Sequence, residues 1–120
     1  MIVRIDPLYH WSPAARRKDI VAHGLRPGAP ATIASGSLPY VCFGPSPARA
    51  WSLSAAMEWA QEIEDWDLWQ ARLADGDDVR IRPDFGPNVQ EIKIYGPVPA
   101  DRLWYAGTRR VDGIREWTPR

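Results

Sequence analysis

The chain has 120 residues, 45% hydrophobic and 25% charged, which suits one globular domain over residues 1–120 with a core of its own. Fifteen basic and fifteen acidic side chains cancel, so no net field draws the chain to nucleic acid or to an anionic membrane. The one cysteine, Cys42, excludes an internal disulfide, and two histidines without ligand spacing speak against any bound metal.

Arg4 and Asp6 interrupt the opening apolar run, unlike a signal peptide, and no stretch approaches the roughly 18 apolar residues of a membrane span. A cytoplasmic protein with no membrane partner is the expectation. Leu8 to His10 reads as a short strand. Ser12 is placed to cap a helix over 13–23, with Pro13 at its first position and Gly24 as its left-handed stop. Ile20, Val21 and Leu25 supply that helix's apolar face. Residues 26–39, rich in Pro, Gly, Ser and Ala, form a long loop of the kind that often carries function.

"YVCF" at 40–43 is a buried strand. Ser46 and Pro47 repeat the capping device and start a second helix, which turns Ala50, Trp51, Ser54 and Met57 to the core. Leu68 to Leu73 and Val79 to Arg82 flank an Asp-Gly turn and read as a hairpin. After a loop at 83–88, residues 89–96 alternate as a strand, a further strand runs over 103–106, and "GIREW" at 113–117 is an edge strand. Two helices among several short strands make an α+β domain. Seven tryptophans serve first as core filling and second as floors for planar ligands. Thirteen arginines against two lysines fit a GC-rich bacterial or phage genome.

The order of these pieces resembles the ADP-ribosyltransferase superfamily, whose split antiparallel sheet is shared by poly- and mono-ADP-ribosyltransferases and by RNA 2′-phosphotransferases. The family's first strand ends in "HGS" or "HGT", and His10-Trp11-Ser12 has that spacing with tryptophan for glycine. The family's "YFA" strand and "SKSA"-like helix start correspond to "YVCFGPSPARA", where Tyr40 is the tyrosine available and counting back from the helix reaches Val41 or Cys42. Its catalytic glutamate opens a strand such as "EYIVY", matched by "EIKIY" from Glu91 to Tyr95. The resemblance covers residues 8 to 106, and its weight lies in the order of its motifs.

The resemblance implies cleavage of the nicotinamide–ribose bond of NAD+ and transfer of ADP-ribose to a protein or nucleic-acid acceptor, or to water. Glu91 would hydrogen-bond the ribose and stabilise the oxocarbenium-like charge, or serve as general base. His10 would bind the adenosine ribose, the Trp11 backbone the carboxamide, Ser12 a ribose, and Tyr40 would stack on the nicotinamide ring. Arg26 would meet the pyrophosphate, since a guanidinium matches phosphate oxygens bidentately. Each residue has a plainer reading. Glu91 and Lys93 alternate with Ile92 and Ile94 as the polar face of a half-buried strand, His10 and Tyr40 fit a core, and Arg26 a surface. His23 suits the last turn of a helix. No Gly-x-Ser-x-Gly elbow, dinucleotide glycine motif or P-loop offers another nucleotide or acyl chemistry. Two other functions compete: an RNA 2′-phosphotransferase, which asks for more His and Arg around phosphate, and an inactive binding or inhibitor module that keeps the fold.

Overall fold

Two segments are apolar or buried on both faces, and each becomes the central strand of a sheet. The computed structural model describes residues 7–27, 40–55, 63–82 and 91–110. In chain order it contains β1 (Leu8–Pro13), α1 (Arg17–His23), β2 (Val41–Phe43), α2 (Pro47–Ala55), β3 (Asp65–Ala71), β4 (Asp78–Arg82), β5 (Glu91–Tyr95) and β6 (Leu103–Arg110). Short 3-10 turns at Ala14–Arg16 and Ala100–Arg102 lead into α1 and β6. The strands form two antiparallel three-stranded sheets, ordered β1-β3-β6 and β2-β5-β4. The α+β class expected from the sequence is the class observed.

One antiparallel bridge joins the sheets. The Tyr9 N–H donates to Gly44 O at 2.9 Å, and the Gly44 N–H returns a bond to Tyr9 O at 2.8 Å. Glycine is required there because a Cβ on Gly44 would lie 2.4 Å from the backbone nitrogen of Ala50, on the first turn of α2. The main core fills the space between the sheets, with Leu8, Trp69 and Leu103 from one meeting Phe43, Ile92 and Ile94 from the other. Ile20, Leu25 and Val98 close it. A second cluster lies on the other face of the first sheet, where Trp11, Trp51 and Trp66 pack around Ala50. Edge-to-face contacts link these rings at 5.2 Å (Trp11–Trp51) and 5.5 Å (Trp51–Trp66), the arrangement their quadrupoles favour.

Three expectations need correction. The first helix does not begin at Pro13 under a Ser12 cap. Ser12 and Pro13 continue β1, paired with Asp67 and Trp66, and neither the 3-10 turn nor α1 has a side-chain cap. Proline's fixed φ fits a strand end as well as a helix start, and pairing with the buried strand β3 decides between them. Val21 does not face the core: it is 63% exposed, while Ile20 and Leu25 are buried as expected. The Asp-Gly turn does not close a hairpin either. Both edges of β3 are occupied, by β1 and β6, so the chain crosses to the other sheet and β4 pairs with β5. Asp77 holds this crossover by accepting the Ala74 N–H at 2.8 Å and pairing with Arg102 at 2.8 Å.

Other elements fall where the sequence places them. Gly24 ends α1 with φ of 73°, its N–H bonded to Ile20 O at 2.8 Å. Ser46 caps α2, its hydroxyl accepting the Arg49 N–H at 3.2 Å. The strand expected at 40–43 is β2, that at 89–96 contains β5, and that at 103–106 extends into β6. Most of the 26–39 loop, the Ser54 side chain, Met57, the 83–88 loop and the strand expected at 113–117 lie outside the described residues.

Candidate functional site

The sheets part immediately beyond the Tyr9–Gly44 bridge. A continued antiparallel ladder would set His10 opposite Phe43 and then Trp11 opposite Cys42. Instead the His10 imidazole reaches the edge of β2, its Nδ1 lying 2.7 Å from Cys42 O. Donation to a carbonyl assigns the proton to Nδ1 and leaves Nε2 as an acceptor. Burial lowers the His10 pKa below its ordinary value, the bond to Cys42 partly offsets this, and the nearby Arg16 lowers it further. The ring also packs on Phe43, with centroids 5.6 Å apart.

Period-2 alternation puts Tyr40 and Cys42 on the face of the second sheet that looks away from the main core, together with Glu91, Lys93 and Tyr95 of β5. The plainer reading made this the polar face of a half-buried strand; the alternation holds, and both polar side chains are buried, Glu91 8% and Lys93 4% exposed. The Tyr40 ring lies against Lys93, and the rings of Tyr40 and Tyr95 and the Arg80 guanidinium crowd the same face. The two side chains pair, Lys93 Nζ lying 3.2 Å from Glu91 Oε1. The same ammonium lies over the Tyr40 ring, 4.2 Å from its centroid. Burial opposes the charge on Lys93, but its contacts with Tyr40 and Glu91 prevail and raise its pKa. Burial, reinforced by the neighbouring Glu91, pushes the Cys42 thiol up to about 12, so it is no nucleophile at neutral pH. Farther along the face, Tyr40 and Tyr95 rings meet at 5.3 Å, and Arg80 covers Tyr95 at 4.2 Å.

Among the expected site residues, Tyr40 and Glu91 therefore share one face and one partner, Lys93. His10 reaches the edge of β2, beside Tyr40, through Cys42 O, while its ring leans on Phe43, which points to the opposite face. The other three are elsewhere. The Trp11 ring is buried in the second cluster, where its Nε1 donates to Pro47 O at 2.9 Å, although its backbone stays on the strand at the parting of the sheets. Ser12 is a buried strand residue opposite Asp67. Arg26 is half exposed and donates to Asp19 at 3.0 Å, beside the pair that Asp19 makes with Arg16. Bonding to Arg16 first, and then to Arg26, holds the Asp19 carboxyl below its ordinary pKa although partial burial works the other way.

Two features have no role in the sequence reading. One is Lys93, which the alternation places on the face of Glu91 but which is given no part in the site. The second is a polar network on the first sheet. Asp67, fully buried, accepts a bidentate pair from Arg17 at 2.7 and 2.8 Å. A bulge between Leu68 and Trp69 shifts the pairing with β6, so that Thr108 comes opposite Asp67 and donates to it at 2.6 Å. Tyr105 OH bonds Thr108, and the Arg17 guanidinium stands over the Tyr105 ring at 4.9 Å. This network is internally satisfied and holds β3, α1 and β6 together. Among the described residues no group of three or more His, Cys, Asp or Glu side chains could hold a metal ion. Among them, too, no helix is long and apolar enough to cross a membrane. No protein-family model and no curated protein matches the chain.

Proposed function

We propose that the chain is an NAD+-binding domain of the ADP-ribosyltransferase type that cleaves the nicotinamide–ribose bond. One observation carries the reading: a carboxylate, Glu91, and an aromatic ring, Tyr40, share a face beside the line where two antiparallel sheets part, and His10 borders that line. In the reaction the C1′–N bond breaks with its electron pair leaving on nicotinamide. Positive charge builds on the ribose ring, and an acceptor hydroxyl, amine or water attacks C1′ and loses its proton. Glu91 supplies negative charge to the ribosyl cation in a site shielded from water, where such charge acts most strongly. Tyr40 offers the nicotinamide ring a stacking face. The acceptor is a protein, a nucleic acid or water.

Thermal denaturation with and without millimolar NAD+ tests the binding. Ligand at 100 times its dissociation constant stabilises the native state by about 2.7 kcal/mol, several degrees for a domain of this size. Nicotinamide release assayed on the wild type and on Glu91→Ala tests the chemistry: release is expected from the former and at least about a hundredfold less from the latter, the scale of losing one preorganised charge-stabilising group. Stabilisation without release would favour the second reading, a binding module without turnover. The buried Lys93–Glu91 pair favours that alternative, because a carboxylate already neutralised by an ammonium has less to offer a developing cation. An RNA 2′-phosphotransferase is less well supported, since Arg26 and Arg16 are both engaged by Asp19.

A further inference from the structure

We infer, on the reading just given, that Lys93 is a tethered cation occupying the subsite of the nicotinamide ring, so that NAD+ enters only by displacing it. The oxidised nicotinamide ring is a flat cation. A protein holds such a group with an aromatic face and stabilises the charge that follows bond cleavage with a carboxylate. In the folded chain both functions are already engaged by one ammonium. Lys93 Nζ stands 4.2 Å from the centroid of Tyr40 and 3.2 Å from Glu91 Oε1, and the residue is 4% exposed. A ring stacked on the same face of Tyr40 would take the volume of the ammonium. Were it to stack beside the ammonium instead, two positive charges would face each other across a few ångströms with little water between them.

Neighbouring groups do not offer the pyridinium another place. Tyr95, whose ring meets that of Tyr40, is itself covered by the Arg80 guanidinium, and Arg80 is the cross-strand partner of Lys93. Thus, among the described residues, Tyr40 and Tyr95 on this face each carry a cation from β4 or β5. Lysine is suited to a removable plug, because its charge sits at the end of a flexible four-carbon stem. Swinging it out frees Tyr40 for the ring and Glu91 for the ribosyl cation in one movement. The same contact accounts for a resting site that is held together without ligand.

Isothermal titration of NAD+ and of ADP-ribose, which lacks the nicotinamide ring, tests the inference on the wild type and on Lys93→Met. The variant is expected to bind NAD+ at least about tenfold more tightly, a 1.4 kcal/mol gain, with the affinity for ADP-ribose unchanged. Lys93→Met leaves Glu91 buried without its partner, so the same titrations are also made on Glu91→Gln and on Glu91→Gln/Lys93→Met, in which both charges are gone. There the double variant is expected to gain over the single one for NAD+ alone. Equal NAD+ affinities with and without Lys93, or a parallel change for ADP-ribose, would overturn the plug while leaving NAD+ binding intact. Absence of binding of either ligand to every folded variant would overturn the functional reading and the plug with it.

Discussion

His10 shows how one side chain at the edge of a strand couples a sheet junction to pH. Its Nδ1 bond to Cys42 O requires only that Nδ1 carry a proton, which both the neutral ring and the imidazolium satisfy, so that bond does not set the direction of the shift. Burial does, and it depresses the folded-state pKa below the 6.5 of an unperturbed histidine. The unfolded chain therefore binds a proton that the folded chain refuses. Stability is complete above about pH 6.5 and falls as the pH drops through the window between the unfolded and the folded pKa. Asp19 and Asp77 lie outside that window, because their folded pKa values are below 3.8 and their contributions are lost only in stronger acid. Urea unfolding at pH 7.5 and pH 5 is expected to show a loss in the wild type. His10→Gln, which keeps a donor for Cys42 O and does not titrate, should flatten it. An unchanged slope in the variant would assign the pH dependence to other groups.

At the scale of elements, the critical contact is the one between Gly44 and α2. A Cβ added there meets the Ala50 backbone nitrogen at 2.4 Å and its Cα at 2.6 Å, atoms of a helix turn that cannot step aside alone. Gly44→Ala is expected to cost about 1–3 kcal/mol, the range for overpacking, read as a lowered denaturation midpoint with an unchanged m-value. It should also weaken the Trp11–Pro47 bond, because α2 must move away from β1. Loss of less than half a kcal/mol would mean that the helix is looser on the strand than this spacing indicates. The start of α2 was legible because Ser46 and Pro47 meet no competing partner. At Ser12 and Pro13 the same letters misled, since a tryptophan-rich strand lay ready to pair with them and long-range pairing outweighs a local cap. The Asp-Gly turn was legible as a turn. Where it led was not, because local turn chemistry says nothing about whether the edge of the preceding strand is already taken. In the candidate site, Glu91 and Lys93 were legible as neighbours on one face of a strand, whereas their burial depends on what surrounds that face in the folded chain, which no window of sequence contains.

At the scale of the molecule, a hydrogen-bonded bridge from Tyr9 to Gly44 and the bond from the His10 ring to Cys42 O join β1 to β2 and its flank, yet the halves are not independent. The main core takes Leu8, Trp69 and Leu103 from one sheet and Phe43, Ile92 and Ile94 from the other, so neither sheet can lose its partner without exposing its own buried face. The tryptophan cluster lies on the opposite face of the first sheet, and its described members come from β1, β3 and α2. If the halves separated on unfolding, the fluorescence of the described tryptophans, which lie on or against the first sheet, would follow that sheet while far-UV circular dichroism followed both. The shared core predicts instead one cooperative transition with coincident midpoints. Trp66→Ala sharpens the test, because Trp66 is 1% exposed within the cluster and its truncation should cost about 3–5 kcal/mol. Both probes are expected to shift together by that amount. A shift confined to fluorescence would show that the parting of the sheets is also a boundary between folding units, and opening of the junction around His10 would then cost less than global unfolding.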